Sequence, residues 1–372
     1  MSRGTISDAA GPPNKRLSDG WSCNAPRLAA CVVLAVLLGG CAQPLYVARL
    51  GWTEAKILWR REPMREVIAE PGTDPALRER LELVLAAREF ARQQLGFDVG
   101  GSYGSYAAVG PEEATVYVVS AAHRDRLASY TWWYPIAGRV PYRGFFAERA
   151  AQAEAARLAR RDLDVDVRPA VAFSTLGWFA DPLLSTTAEA DAVPLVTTVL
   201  HELFHQTLYV PGEPAFNESA ATFAGERGAV AFFCTRDGND APRCREAHIA
   251  WKATRARGRI LGRLADKLRR LYASHPEPAQ RERVRTRLAA AAARCLERRG
   301  LGGEADVLPP NNARLLGALL YATRLDEFEA LAPGGTDPGP ALRALVVAAR
   351  GERDPFRALA GLASERGKLQ RG

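Results

Sequence analysis

Twelve residues separate His201-Glu202-Leu203-Phe204-His205 from the Glu218 of Asn217-Glu218-Ser219-Ala220-Ala221, and these two stretches carry the side chains best suited to chemistry. Residues four apart on a helix project from one face, so His201 and His205 can share one metal ion. Glu202 lies one step round the helix, where its carboxylate can reach a water on that metal without being a ligand itself. Glu218 opens what reads as a second helix and is placed to be the third ligand. Two imidazoles, one carboxylate and an open fourth position describe a catalytic zinc site rather than a closed structural one, so Zn2+ is the expected cofactor. Zinc lowers the pKa of water from about 15.7 to about 7 and polarises a carbonyl. Glu202 would take the proton and pass it to the leaving amine.

A developing oxyanion usually needs one more donor, and Tyr321, Tyr209 and Tyr142 are the candidates. Tyr321 is preferred because it follows the pair Asn311-Asn312 in a late helix; Tyr142 and Tyr209 are then candidate substrate-binding residues. Each reading has a plainer rival. His201 and His205 could be ordinary core or surface histidines, and Glu218 a helix-opening carboxylate favoured by the macrodipole. Glu226, two turns beyond Glu218, is too far along to be a ligand. His123 follows a strand and reads as structural.

The elements that must position these groups can be followed along the chain. Helical apolar spacing runs from Leu77 to Leu95, with Leu81, Leu85 and Phe90 on one stripe. A strand is expected from Thr115 to Ser120, then an aromatic loop spanning Trp132 to Phe146 that either roofs the core or walls a substrate cleft. A helix from about Glu148 to Arg161 and a strand from Asp164 to Phe173 follow. That strand could be an edge onto which an extended peptide adds its backbone. The histidine-bearing helix should begin near Pro194, and the Glu218 helix should run to about Phe233. Two long amphipathic helices, about 246–273 and 278–298, and a region opening at Asn311 complete a mostly helical α+β chain with a small sheet ahead of the histidine helix. The expected division is a leader over 1–40, a helical part over 41–98, a catalytic core over 99–330 and a helical tail over 331–372.

With 372 residues, 47% of them hydrophobic, the chain can bury a large core. The net charge of +8 invites a nucleic-acid reading. However, no binding motif supports it, and arginines such as Arg281, Arg283, Arg285 and Arg287 read as a solvated helix face. No nucleic-acid partner is expected.

Lys15, Arg16 and Arg27 precede an apolar run from Leu28 to Leu38, too short to span a bilayer and suited to a signal peptide. It ends Leu38-Gly39-Gly40-Cys41, which resembles the bacterial lipobox, with Cys41 as the lipidated residue. Ala42 is not the aspartate that holds lipoproteins in the inner membrane, so an outer-membrane anchor facing the periplasm is expected. Cys234 and Cys244 flank a turn-rich segment and suit a local disulfide in an oxidising compartment. Cys295 falls on a helical apolar series and reads as a buried free thiol.

Taken together, these residues resemble a family of predicted zinc aminopeptidases found as bacterial lipoproteins. The matching segments are His201 to Gln206, Tyr209-Val210, Phe216-Asn217-Glu218, Ser174 to Phe179, Pro135 to Gly138, Tyr142 to Phe146 and Asn311-Asn312-Ala313. They span about residues 45 to 330. The resemblance implies a gluzincin-like architecture, a peptide substrate, metal ligands at His201, His205 and Glu218, and Glu202 as the base. Glu213 departs from it, since an aspartate is expected there. Nor is there a Gly-x-Met-Glu-Asn segment to grip a substrate ammonium group; Glu213 or Asp181 could serve. An endopeptidase of the same mechanism is therefore an alternative, as is a zinc-containing envelope lipoprotein that binds without cutting.

Overall fold

The computed structural model describes residues 57–110, 116–134, 138–145, 147–170, 180–302, 307–335 and 337–369. The leader, Cys41 and the 174–179 segment lie outside them. In chain order come β1 (Glu62–Pro63), α1 (Met64–Ala69), α2 (Pro75–Phe90), β2 (Ser105–Ala107), β3 (Val116–His123), β4 (Trp132–Tyr134), β5 (Gly138–Val140) and β6 (Tyr142–Phe145). Next are α3 (Glu148–Ala159), β7 (Leu163–Ala170), β8 (Leu183–Leu184), α4 (Ala192–Thr207), α5 (Pro214–Asp237), α6 (Pro242–Ala273) and α7 (Pro278–Glu297). Helices α8 (Asn312–Leu320), α9 (Leu325–Leu331), α10 (Gly339–Ala349) and α11 (Pro355–Leu369) close the chain. The result is mostly helical α+β. Among the described residues no helix is long and apolar enough to cross a membrane.

Helix α4 forms because Val193, Val196, Val199, Leu200, Leu203 and Phe204 offer apolar surface on most of its circumference, and all are buried. It begins at Ala192, two residues before Pro194, because proline is tolerated throughout the first turn. Its partner α5 is rich in alanine and glycine, which lets the two backbones come close. A β-carbon on Gly225 would lie 2.6 Å from the Thr197 carbonyl oxygen, and one on Gly228 would lie 2.9 Å from a Leu200 methyl. Glycine at both positions is therefore a condition of the packing that brings Glu218 beside the histidines. Leu342, Leu345 and Leu359, from α10 and α11, are buried in the same core as α4 and α5.

The described strands form three small sheets, ordered β1-β2-β8, β6-β3-β7 and β4-β5. In the second sheet β7 is an edge strand, antiparallel to β3, with Arg168 opposite Val118. Alternation along β7 sends Leu163, Val165 and Val167 into a core with Ala151 and Leu158 of α3. Asp164, Asp166 and Arg168 therefore project from the opposite face.

That alternation corrects one expectation. Arg285 is not on a solvated face: its side chain is fully buried and pairs with the buried Asp164, and at 3.0 Å with Glu282. Arg285, Ala289, Ala292 and Leu296 share the inward face of α7, so the arginine enters the core with its counter-charge waiting on β7. Cys295, one step round from Leu296, is a free and half-buried thiol rather than a fully buried one.

Cys234 and Cys244 form a disulfide across 4.8 Å between their Cα atoms. The segment between them is less loop than expected, since α5 runs to Asp237 and α6 starts at Pro242. Closing so short a loop should stabilise the fold by about 2–3 kcal/mol. The double variant Cys234→Ser, Cys244→Ser should lose that amount in a denaturant titration.

Candidate metal centre

The turn between α4 and α5 is fixed by one side chain. The Asn217 Nδ2 donates to the Val210 carbonyl at 2.8 Å, and the Val210 N–H donates to Asn217 Oδ1 at 2.9 Å. Both residues are buried, so this reciprocal pair locks the return of the chain one residue before Glu218. Replacing Asn217 by alanine leaves two buried backbone groups unpaired and should cost about 2–4 kcal/mol. Metal affinity should fall as well, a combination that thermal unfolding with and without a chelator would register.

With the turn fixed, three ligand atoms converge. His201 Nε2 and His205 Nε2 are 3.2 Å apart, and Glu218 Oε2 is 3.3 Å from the first and 3.6 Å from the second. Ligand atoms bonded at about 2.0–2.1 Å to a tetrahedral ion lie about 3.3 Å from one another, so the spacing suits a divalent metal such as zinc. The donor set, two imidazoles and a carboxylate, suits it too. Burial alone would raise the Glu218 pKa, but the hydrogen bonds from His201 and His205 outweigh it and hold the carboxyl at about 2. For His205 burial pulls the pKa down, and Glu218 more than offsets it, leaving the net shift upward. The His205 Nδ1 is buried with no hydrogen-bond partner among the described residues.

Around these atoms stand the other expected groups. The Tyr321 ring stacks on His201, with centroids 6.0 Å and planes 30° apart. Burial, and next the charge of Glu218, push its phenol well above the usual range, and Glu202 adds to the effect. Burial and Glu218 likewise raise the Tyr142 phenol, and Tyr209 adds to it. Tyr209, half exposed, follows directly on α4. Glu202, partly exposed on α4, raises both the Tyr321 phenol and the buried Tyr103 phenol, the latter chiefly shifted by burial.

Two positioning devices have no signature in the sequence. The Ser219 hydroxyl donates to the Leu320 carbonyl at 2.8 Å and accepts the Thr323 N–H at 2.9 Å. It thereby fastens the turn carrying Tyr321 to α5, one residue after Glu218. Tyr103, buried in the loop before β2 and held by its N–H to the Asp181 carbonyl at 2.8 Å, feels the charge of Glu202. Asn311 and Asn312 are structural ties. Asn311 caps α8 and donates to the Val165 carbonyl, while Asn312 accepts from the Tyr272 hydroxyl and donates to the His123 carbonyl.

The remaining candidates are not among the three converging ligands. The half-buried Glu226 accepts from the Thr254 hydroxyl, and desolvation raises its pKa against the hydrogen bond and the nearby His201. His123, at the end of β3, lies 2.9 Å from an Arg126 nitrogen. Asp181 is buried beside Tyr103, and Glu213 stands at the N-cap of α5 without capping it. Cys234, Cys244 and His248 also cluster, but both sulfurs are consumed by the disulfide.

Residues 45–334 match a family described as putative aminopeptidase. No curated protein and no solved structure gives a significant match.

Proposed function

The chain belongs to the putative aminopeptidase family, and we propose that it is a zinc-dependent peptidase of gluzincin-like design. The observation that carries this reading is the convergence of His201, His205 and Glu218 from two neighbouring helices, with Glu202 close enough to raise the His205 pKa. When bound, zinc supplies Lewis acidity, making water acidic enough to attack and a carbonyl electrophilic. The protein does the rest. Glu202 accepts the water's proton and returns it to the departing amine. The Tyr321 hydroxyl, held protonated by its surroundings, donates to the developing oxyanion. Tyr142 and Tyr209 flank the substrate.

Aminopeptidase rather than endopeptidase action requires a carboxylate for the substrate's ammonium group, and Asp181 and Glu213 are the nominees. Endopeptidase action draws support from β7, an edge strand able to pair with an extended peptide. The Leu38-Gly39-Gly40-Cys41 sequence supports a lipid anchor on Cys41 and a place on the periplasmic face of the outer membrane. A digest of mixed peptides, with and without a chelator, tests the function. Cleavage that stops with the chelator and returns with zinc is expected. No cleavage in either tube would favour a lipoprotein that binds zinc without cutting.

A further inference from the structure

One face of β7 runs along α8 like a ladder. Its first rung, Asp164, accepts from Arg285 and from the Asn312 N–H. Its second, Asp166, pairs with Arg314 at 3.1 Å. The third rung is Arg168, whose guanidinium lies against Gly317, 3.8 Å from where a β-carbon would stand. There the pattern breaks, because this rung is a cation and no carboxylate answers it among the described residues. Arg168 is half-buried, and an arginine in that setting normally finds an acid or a carbonyl to receive its fork of donors.

Arg168 also stands where two features meet. Together with Tyr142 it lines a cavity of about 650 Å³, and the cavity wall includes Leu320 and Ala322, the neighbours of Tyr321 on both sides. The cavity wall thus reaches the residues on either side of Tyr321, although none of the three ligand residues lines it. Six arginines and three carboxylates line it. Arg255 and Arg259 share Asp326, Arg269 pairs with Asp266, and Arg324 pairs with Glu327. All three acids are thus engaged, and the cavity carries an excess of positive charge that a neutral or ammonium-bearing group would not use.

We propose that Arg168 anchors a carboxylate of the peptide substrate, and that the cavity it lines with Tyr142 is the subsite that receives it. The proposal rests on the peptidase reading and narrows it to peptides carrying a negative charge close to the scissile bond. That charge can be the free C-terminus of a short peptide or an acidic side chain, since both present the same carboxylate to the guanidinium.

The test uses the full chain carrying Glu202→Gln and loaded with zinc, so that binding is read without turnover. Calorimetry would compare tri-alanine, tri-alanine amide and Ala-Glu-Ala amide. A carboxylate should bind about 10–100-fold more tightly than the neutral amide, the usual strength of a charge-assisted hydrogen bond. Tri-alanine alone gaining would identify the C-terminus as the source, and Ala-Glu-Ala amide gaining would identify the side chain. Arg168→Met should erase the preference and Arg168→Lys should retain part of it. Equal binding of the acids and the amide, or a preference that survives Arg168→Met, would overturn the proposal. Should the unaltered zinc-loaded protein cut no peptide, the hydrolase reading falls instead, and the binding comparison still judges Arg168.

Discussion

Glutamine in place of Glu202 should lower peptide hydrolysis by a factor on the order of 10²–10⁴ while zinc stays bound in equal amount. Glutamine keeps the size of the side chain and removes only its ability to accept a proton. The residue is partly exposed on α4 and is not one of the three converging ligands, so neither the fold nor the metal should suffer. The distinguishing result is the pair of readings, activity nearly gone and metal content unchanged. Unchanged turnover would remove Glu202 from the mechanism. A loss of both metal and activity would recast it as a ligand.

Alanine in place of Glu218 should do the reverse, emptying the site. Among the three converging side chains its carboxylate is the one anion, and its charge would offset the burial that otherwise disfavours a dication between α4 and α5. Loss of an outer-sphere partner typically costs about 10–100-fold in metal affinity, so removal of a direct ligand should cost more. A competitive chelator titration measures this. The fold should survive, because the turn is held by Asn217 and α5 is anchored by Phe216, Phe223 and Phe233, all fully buried. Affinity within a few-fold of the unaltered protein would show that Glu218 is a bystander.

The two effects divide according to what a sequence can express. His201 and His205 were legible as one face because helical periodicity alone fixes their relative direction. Glu218 was legible because a short connection to the next helix leaves few places for it to go. Other groups depend on pairings between elements far apart in the chain, which leave no local trace. Arg285 looked like part of a solvated row until Asp164 on β7 met it inside the core. Ser219 reads as an ordinary helix residue, yet it ties the Tyr321 turn to α5. Arg168 is one arginine among many until β7 and α8 are laid side by side. Tyr321 falls between these cases: it could be nominated from its position after Asn311-Asn312, while its stacking on His201 needed the fold.

Crystals of the zinc-loaded protein, measured on both sides of the zinc absorption edge, test most directly whether these two helices build a metal site. The expected result is one anomalous peak about 2.0–2.2 Å from His201 Nε2, His205 Nε2 and a Glu218 carboxylate oxygen. A peak elsewhere, for instance at His248 beside the cysteines, or no peak in protein that still digests peptides, would contradict it.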